Sequence, residues 1–300
     1  GYSARPVHSY WDDFFALRGF TDAAAMARVL GLEDEARRLG AERDEFARDL
    51  YASLALVMAR RHIDFLPGSA DLADLDATST TIALAPGGQA DVLPRAALDA
   101  TFERYWRTLR ARLDSATWEN YTPYEWRVVG AMLRLGWKSQ ALDVFAALMA
   151  DQAPLAWRQW PEIVWRDRAA PRFIGDLPHT WVGSDFLRSA ADLFAYERES
   201  DSALVIAAGI PQAWLDGPGV AVRSLSTWWG PLSYSARRDG DTVTIRIGDG
   251  LRVPSGGIDV ASPAPHARVV TLDGVPVTIP PGEPAHVRVR RLPAVLRYTF

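Results

Sequence analysis

Between Trp157 and Trp181 the chain reads WRQWPEIVWRDRAAPRFIGDLPHTW. This stretch sets Trp157, Trp160, Trp165 and Trp181 beside Glu162, Asp167, Asp176 and His179. Flat indole faces stack on the C–H faces of a sugar ring, and carboxylates take charge-assisted hydrogen bonds from hydroxyls. A carboxylate beside a bound sugar can also activate water or attack the anomeric carbon. Connections between elements usually run to about 4–6 residues, and longer ordered ones are commonly functional. Disordered segments are poor in aromatics, so this one is expected to be ordered. The competing reading is a loop that buries its indoles under itself as a satellite core.

Two shorter stretches carry the same mixture: HSYWDD at 8–13 and YTPYE at 121–125. Together the three supply the candidate binding residues Trp11, Asp13, Tyr121, Tyr124, Glu125, Trp157, Gln159, Trp160, His179 and Trp181. Asp12 and Asp13 are neighbours, so each can raise the other's pKa. On a helix they point about 100° apart, so one of them would face a cavity. Against this stands a capping cluster whose acids merely favour the helix dipole. His179 and His8 can equally serve as structural hydrogen-bonding groups. The run DLADLDATST holds Asp71, Asp74 and Asp76 but lacks the glycine and closing glutamate of a calcium-binding EF-hand loop. These read as solvated acids, and neither a metal nor a cofactor is expected. Trp228 and Trp229 are expected to pack the second half of the chain rather than to bind sugar.

The elements that must position these loops are helical up to about residue 200. Apolar spacing predicts a helix from the WDD acids to Gly31, with a break or kink at Gly19 and re-capping at Thr21-Asp22. A second helix runs from Glu33 to His62, acids at its start and Arg60, Arg61 and His62 at its end. A short helix over 79–85 stops at Pro86-Gly87-Gly88, and another begins after Pro94. Pro123 suits the first turn of the next helix, Ser139 is expected to cap the following one, and Ser184 the last, which runs to Arg198. From about 203 the chain alternates apolar and polar residues between turns such as Asp239-Gly240 and Asp273-Gly274. This is an antiparallel β-sandwich. The expectation is therefore an α+β chain of two domains, 1–200 and 201–300.

Composition is that of an ordinary globular chain, with 48% hydrophobic and 23% charged residues. A net charge of −4 without any Lys/Arg block argues against nucleic acid. No apolar run approaches the ~20 residues that span a bilayer, so no membrane partner is expected. There is no cysteine, which excludes disulfides and thiolate metal sites. The chain opens directly on a loop-like motif, as would a chain that begins inside a larger protein.

Paired helices with aromatic-acidic loops at every second junction point to an α/α toroid, in which inner helices start at the open mouth. The chain resembles the C-terminal half of an (α/α)6 glycoside hydrolase of the six-hairpin glucoamylase, trehalase and α-L-rhamnosidase group, followed by a β-sandwich. Such sequences often occur in large multidomain bacterial carbohydrate-active enzymes. The resemblance covers almost the whole chain and implies a partial toroid of about helices 6–12. SYWDDFFALRGFTDAA is similar to the glucoamylase-type pattern in which an acid directly follows Trp at the start of the sixth helix, and this implies Asp12 as general acid. Counting back from 186–198 as the twelfth helix also makes 11–31 the sixth. The group's catalytic base lies between helices eleven and twelve, which implies Glu162 or Asp176. The chain departs from glucoamylase in Asp-Asp for Glu-Glu and in GDLPHTW, so the substrate does not carry over.

The resemblance thus implies an inverting glycosidase acting on an oligo- or polysaccharide. The alternatives are a lyase or phosphorylase on the same architecture, or a non-catalytic carbohydrate-binding fragment. Its partners would be a carbohydrate and the N-terminal half of the barrel, on the same or another chain. Secretion or a periplasmic site would follow from such a substrate alone.

Overall fold

The computed structural model describes residues 3–115, 120–152, 154–165, 175–264, 267–279 and 286–300. Asp167 lies outside the described residues. The chain divides into two compact units, Gly1–Asp185 and Phe186–Phe300. Seven α-helices occur among the described residues: α1 (Tyr10–Val29), α2 (Glu33–Arg61), α3 (Ala77–Leu84), α4 (Arg95–Asp114), α5 (Trp126–Arg134), α6 (Lys138–Ala150) and α7 (Thr180–Asp192).

In the first unit α1, α3 and α5 pack in succession, and each also packs on the helix that follows it. The burial pattern explains this layering. α3 and α5 are buried nearly all round, their few polar side chains included, whereas α2 is a long charged helix that buries only Ala36, Gly40, Leu50 and Leu54. A helix with no charged face of its own, as in α3, belongs inside, and one with a narrow apolar stripe belongs at the surface. Acids at the start of α2 and Arg60 and Arg61 at its end complement the helix dipole.

Local details differ from the sequence reading in three places. α1 runs unbroken through Gly19. The Thr21 hydroxyl donates back to Leu17 O at 2.9 Å, and Arg18 donates to Asp22 one turn on at 2.9 Å, so these residues support the helix instead of restarting it. α6 begins at Lys138 with Trp137 at its cap, not at Ser139. Ser184 lies inside α7 and donates to Trp181 O at 2.8 Å.

Lys138 is the only lysine of the chain and lies half-buried in the first turn of α6. Burial pulls its ammonium down to about 8, and the helix N-terminus is an unfavourable place for a cation. Its folded pKa lies below the value of about 10.4 for the free side chain. Stability therefore rises with pH between about 8 and 10.4, and below 8 the cost of the buried charge is present in full. Lys138→Met is expected to stabilise the unit by about 1–3 kcal/mol at pH 7. Thermal melts should show the gap to wild type closing as pH approaches 10.4. A variant no more stable than wild type at pH 7 would refute this.

The second unit holds two sheets. Its strands are β3 (Ala195–Arg198), β4 (Ala203–Ile206), β5 (Val220–Thr227), β6 (Gly230–Asp239), β7 (Thr242–Ile247), β8 (Ile258–Ala261), β9 (Val269–Leu272), β10 (Val275–Pro276), β11 (His286–Val289) and β12 (Ala294–Thr299). The labels β1 and β2 belong to two-residue strands of the first unit, Asn120–Tyr121 and Val164–Trp165. Six strands form an antiparallel sheet in the order β10-β9-β12-β7-β6-β5, and four form the order β11-β8-β4-β3. Alternate residues of both sheets, including Leu204, Ile206, Ile258 and Val260 with Tyr234, Ile245, Leu296 and Tyr298, share one core. Gly240 and Asp273-Gly274 adopt positive φ in two-residue hairpin turns, as their residue types require.

Two expectations are corrected here. AYER at 195–198 is strand β3, not the end of a helix: α7 stops at Asp192, and Ala195–Arg198 pairs with β4. Strands β4 and β8 pair in parallel, so the unit is not purely antiparallel. Between them the chain crosses to the other sheet to build β5, β6 and β7, and a crossover of that kind returns a strand in the same direction.

A charge network ties the four-stranded sheet together. Arg198 donates to Asp201 at 2.8 Å and to the buried Asp259 at 2.9 Å, and Arg288 also donates to Asp201 at 2.9 Å. His286 Nδ1 lies 3.2 Å from Asp259. The Arg198 hydrogen bond, with Arg288 assisting, holds the Asp201 carboxyl down to about 2. Burial pushes Asp259 up, but His286 and Arg198 outweigh it and leave that carboxyl below its usual range. Depressed carboxyl pKa values stabilise the fold above the unfolded value, and that stability is lost as pH falls through the folded one. The β unit is therefore expected to lose stability between about pH 4 and 2. Asp201→Asn should flatten that part of the acid-unfolding curve, and an unchanged slope would contradict the assignment.

Candidate functional site

In the first unit the three aromatic-acidic stretches converge. β1 pairs with β2 in antiparallel register, which joins the 121–125 turn to the 160s. Thr122 Oγ1 donates to Glu162 O at 2.9 Å. On the other side of Glu162 the chain returns: Glu162 N donates to Asp176 O and Gly175 N to Ile163 O, each at 3.1 Å. Glu162 thus sits on a strip of backbone held from both edges. α7 then starts at Thr180 and places Trp181 in its first turn.

These segments line a cavity of about 740 Å³ together with the first turn of α1, the loop preceding α3 with its first turn, and one face of α4. Its wall includes Trp11, Tyr121, Tyr124, Glu125, Glu162 and Trp181, all singled out in the sequence. It also includes Asp76, which the sequence offers only as a solvated acid, and Thr78, Tyr105 and Arg112. The carboxylates on the wall differ in their engagement. Asp76 caps α3, accepting from Ser79 N at 3.1 Å and from Thr78 Oγ1 at 2.6 Å. Glu125 is buried in a two-pronged pair with Arg112, at 2.8 and 2.6 Å, and accepts from the Tyr105 hydroxyl at 2.6 Å. Burial, followed by the charge of Glu125, pushes the Tyr105 phenol well above its ordinary pKa. Glu162 is half-buried, and among the described residues no side chain hydrogen-bonds its carboxylate.

Glu162, Asp176 and His179 bring one ligand-type atom each to within 4.8 Å of one another. The partners of His179 decide what this cluster can do. Its Nδ1 accepts from Val182 N–H at 3.4 Å, which assigns the proton of a neutral ring to Nε2. Nε2 then faces the Tyr124 hydroxyl at 3.4 Å. That tautomer leaves the Tyr124 hydroxyl accepting from His179, with its own proton free to donate elsewhere. Burial, followed by the Glu162 charge, pushes the Tyr124 phenol upward, so it stays a donor at neutral pH.

The remaining sequence candidates lie elsewhere. Asp12 is exposed on α1 and does not line the cavity. Its neighbour Asp13 is half-buried, and burial followed by the Asp12 charge raises its carboxyl, with His8 opposing. Asp176 is exposed. Trp157 is 59% exposed and off the cavity, and Gln159 lies beside Gly183. Trp160 is 1% exposed, with its indole N–H donating to Leu148 O at 2.7 Å and its ring edge-on to Trp126. It is core, not a stacking platform, because no face of the ring is open. Arg112 and Tyr105 carried no sequence signal, since their link to Glu125 spans 13 and 20 residues outside any helical period.

No family model and no curated protein sequence matches this chain. Among the solved structures it resembles are two α-L-rhamnosidases, and at a coarse level the fold is glycoside-hydrolase-like. In particular, an α-L-rhamnosidase of Streptomyces avermitilis, complexed with L-rhamnose, aligns over 96% of this chain and 26% of its own at 14% identity, with a TM-score of 0.53. An α-L-rhamnosidase from Dictyoglumus thermophilum aligns over 96% of this chain and 32% of its own at 11% identity, with a TM-score of 0.48. The chain thus spans 26–32% of the length of these structures.

Proposed function

We propose that this chain is the C-terminal part, about helices 6–12, of the (α/α)6 toroid of an inverting glycoside hydrolase, and that the cavity binds a sugar ring. The observation that carries the reading is Glu162. It is a half-buried carboxylate on an aromatic-walled cavity, with its backbone held from both edges and its side chain left for a ligand. In this reading Glu162 takes a proton from water, whose oxygen then bonds to the anomeric carbon as the glycosidic C–O bond breaks. A second carboxyl group protonates the departing oxygen. Trp11, Tyr124 and Trp181 stack on the sugar, and the Tyr124 hydroxyl donates to it.

A general acid needs its pKa raised by burial. The exposed Asp12 does not come with that geometry, and Asp13 is the member of the pair whose carboxyl is raised. Neither Asp12 nor Asp13 lines the cavity, and in this reading the proton donor is supplied by a segment of the barrel outside this chain, which would complete the cavity. α-L-Rhamnosides are the first substrates to try, in view of the similar structure in complex with L-rhamnose.

The test compares two samples on a p-nitrophenyl α-L-rhamnoside and a panel of other aryl glycosides: the complete protein and this 300-residue chain. Turnover by the complete protein, with sugar binding but no turnover by the chain alone, is the expected result. Absence of both hydrolysis and sugar binding across the panel would defeat the proposal.

A further inference from the structure

The proposed chemistry leaves one buried charge beside the cavity without a task. Arg127 lies in the first turn of α5 and is 5% exposed. Its Nε donates at 2.7 Å to Asp185, which is also 5% exposed. Its guanidinium carbon lies 4.6 Å from the ring centroid of Tyr124, 5.4 Å from that of Trp181 and 5.8 Å from that of Trp11. The three rings belong to different segments: the start of α1, the turn before α5 and the first turn of α7. All three line the cavity. They also meet one another, Trp11 with Trp181 at 5.8 Å and Tyr124 with Trp181 at 5.6 Å between centroids.

A buried ion pair is a poor device for stability alone, since apolar residues of similar volume often serve as well. A guanidinium supplies what they cannot. It is planar, weakly hydrated, and attracted to several ring faces at once. Three rings brought from distant parts of the chain need a common reference, and Arg127 is the group they share. Asp185 neutralises it, so the wall it braces carries no net charge, which suits a neutral sugar better than a uronate.

We infer that Arg127 is a positioning residue: it fixes Trp11, Tyr124 and Trp181 as one wall for an uncharged sugar ring without touching the sugar. The inference rests on the sugar-binding reading of the cavity given above. The test uses Arg127→Met and Arg127→Lys. The latter retains a cation for Asp185 and so guards against simple unfolding. The first readout needs no ligand. It is the indole N–H resonances of Trp11 and Trp181, assigned with Trp11→Phe and Trp181→Phe, with those of Trp160, Trp228 and Trp229 as internal controls. The second is the affinity for L-rhamnose by calorimetry.

In both Arg127 variants a cooperative melt should persist, the Trp11 and Trp181 resonances should shift while the controls stay, and the affinity should fall at least tenfold. Lysine should not rescue, because an ammonium lacks the plane. Unmoved Trp11 and Trp181 resonances would overturn the inference whatever happens to binding. Moved resonances with unchanged affinity would overturn the claim that the wall serves the sugar. A wild-type protein that does not bind L-rhamnose would defeat that choice of sugar, and the resonances would still decide whether Arg127 braces the rings.

Discussion

Glu162→Gln is expected to lower kcat for glycoside cleavage by the complete protein about 10²–10⁴-fold, the range for loss of a positioned proton-transfer group. The substitution keeps the shape of the side chain, removes its charge, and replaces one acceptor oxygen with an amide donor. The backbone bonds that hold residue 162, to Asp176 O and from Thr122 Oγ1, do not involve the side chain. Stability should therefore stay within about 0.5 kcal/mol of wild type, and KM should change little. Asp176→Asn is the matched comparison, because both acids stood as candidates for the base. Asp176 is exposed and is not part of the cavity wall, so its loss should cost less than about tenfold. A reversed order of the two effects would move the base to Asp176. A loss below tenfold for Glu162→Gln would remove it from the chemistry.

Trp160→Ala is expected to destabilise the helical unit by about 3–5 kcal/mol, as large aromatic truncations in cores do. The ring is 1% exposed, packs edge-on against Trp126 at 5.0 Å, and carries an indole N–H that satisfies Leu148 O. Truncation loses the burial, opens a cavity, and removes one of the two hydrogen bonds accepted by Leu148 O, which keeps the one from Asp151 N–H at 3.2 Å. Trp157→Ala, three residues away, should change stability by no more than about 0.5 kcal/mol, because that ring is 59% exposed. Chemical denaturation of the two variants decides the matter. Equal stabilities would contradict the core assignment.

That contrast shows where the sequence stops being informative. Trp157 and Trp160 share a stretch whose composition marks it as ordered and aromatic. Composition cannot say which ring turns inward, because that depends on what α5 and α6 present to it. By contrast, the succession of helices with aromatic-acidic loops between them was legible, and Trp11, Tyr121, Tyr124, Glu125, Glu162 and Trp181 meet on one cavity. The loop before α3 was passed over because its acids resemble an ordinary solvated run, although Asp76 and Thr78 reach the same wall. Arg112 and Arg127 were invisible for a different reason. Their partners Glu125 and Asp185 lie 13 and 58 residues away, outside any helical spacing, so only the folded chain brings the charges together. In the β unit the turn glycines and the alternation marked the strands, but the boundary after α7 was missed. There, pairing with β4 overrides the local helical appearance of AYER.

The glycine at 175 acts as a spacer with a measurable thickness. A Cβ built there would stand 3.1 Å from the Cβ of Glu162 and 3.1 Å from the amide nitrogen of Ile163, closer than such atoms normally rest. The gap between two hydrolytic carboxyls separates inversion, at about 6.5–9.5 Å, from retention, at about 5–5.5 Å. In the proposed reaction a single methyl at position 175 would press on residue 162 and shift one side of that gap by a few tenths of an ångström. The backbone at this point works as a shim, and in the proposed reaction the reach of the Glu162 carboxylate would be tuned from a residue that does not line the cavity.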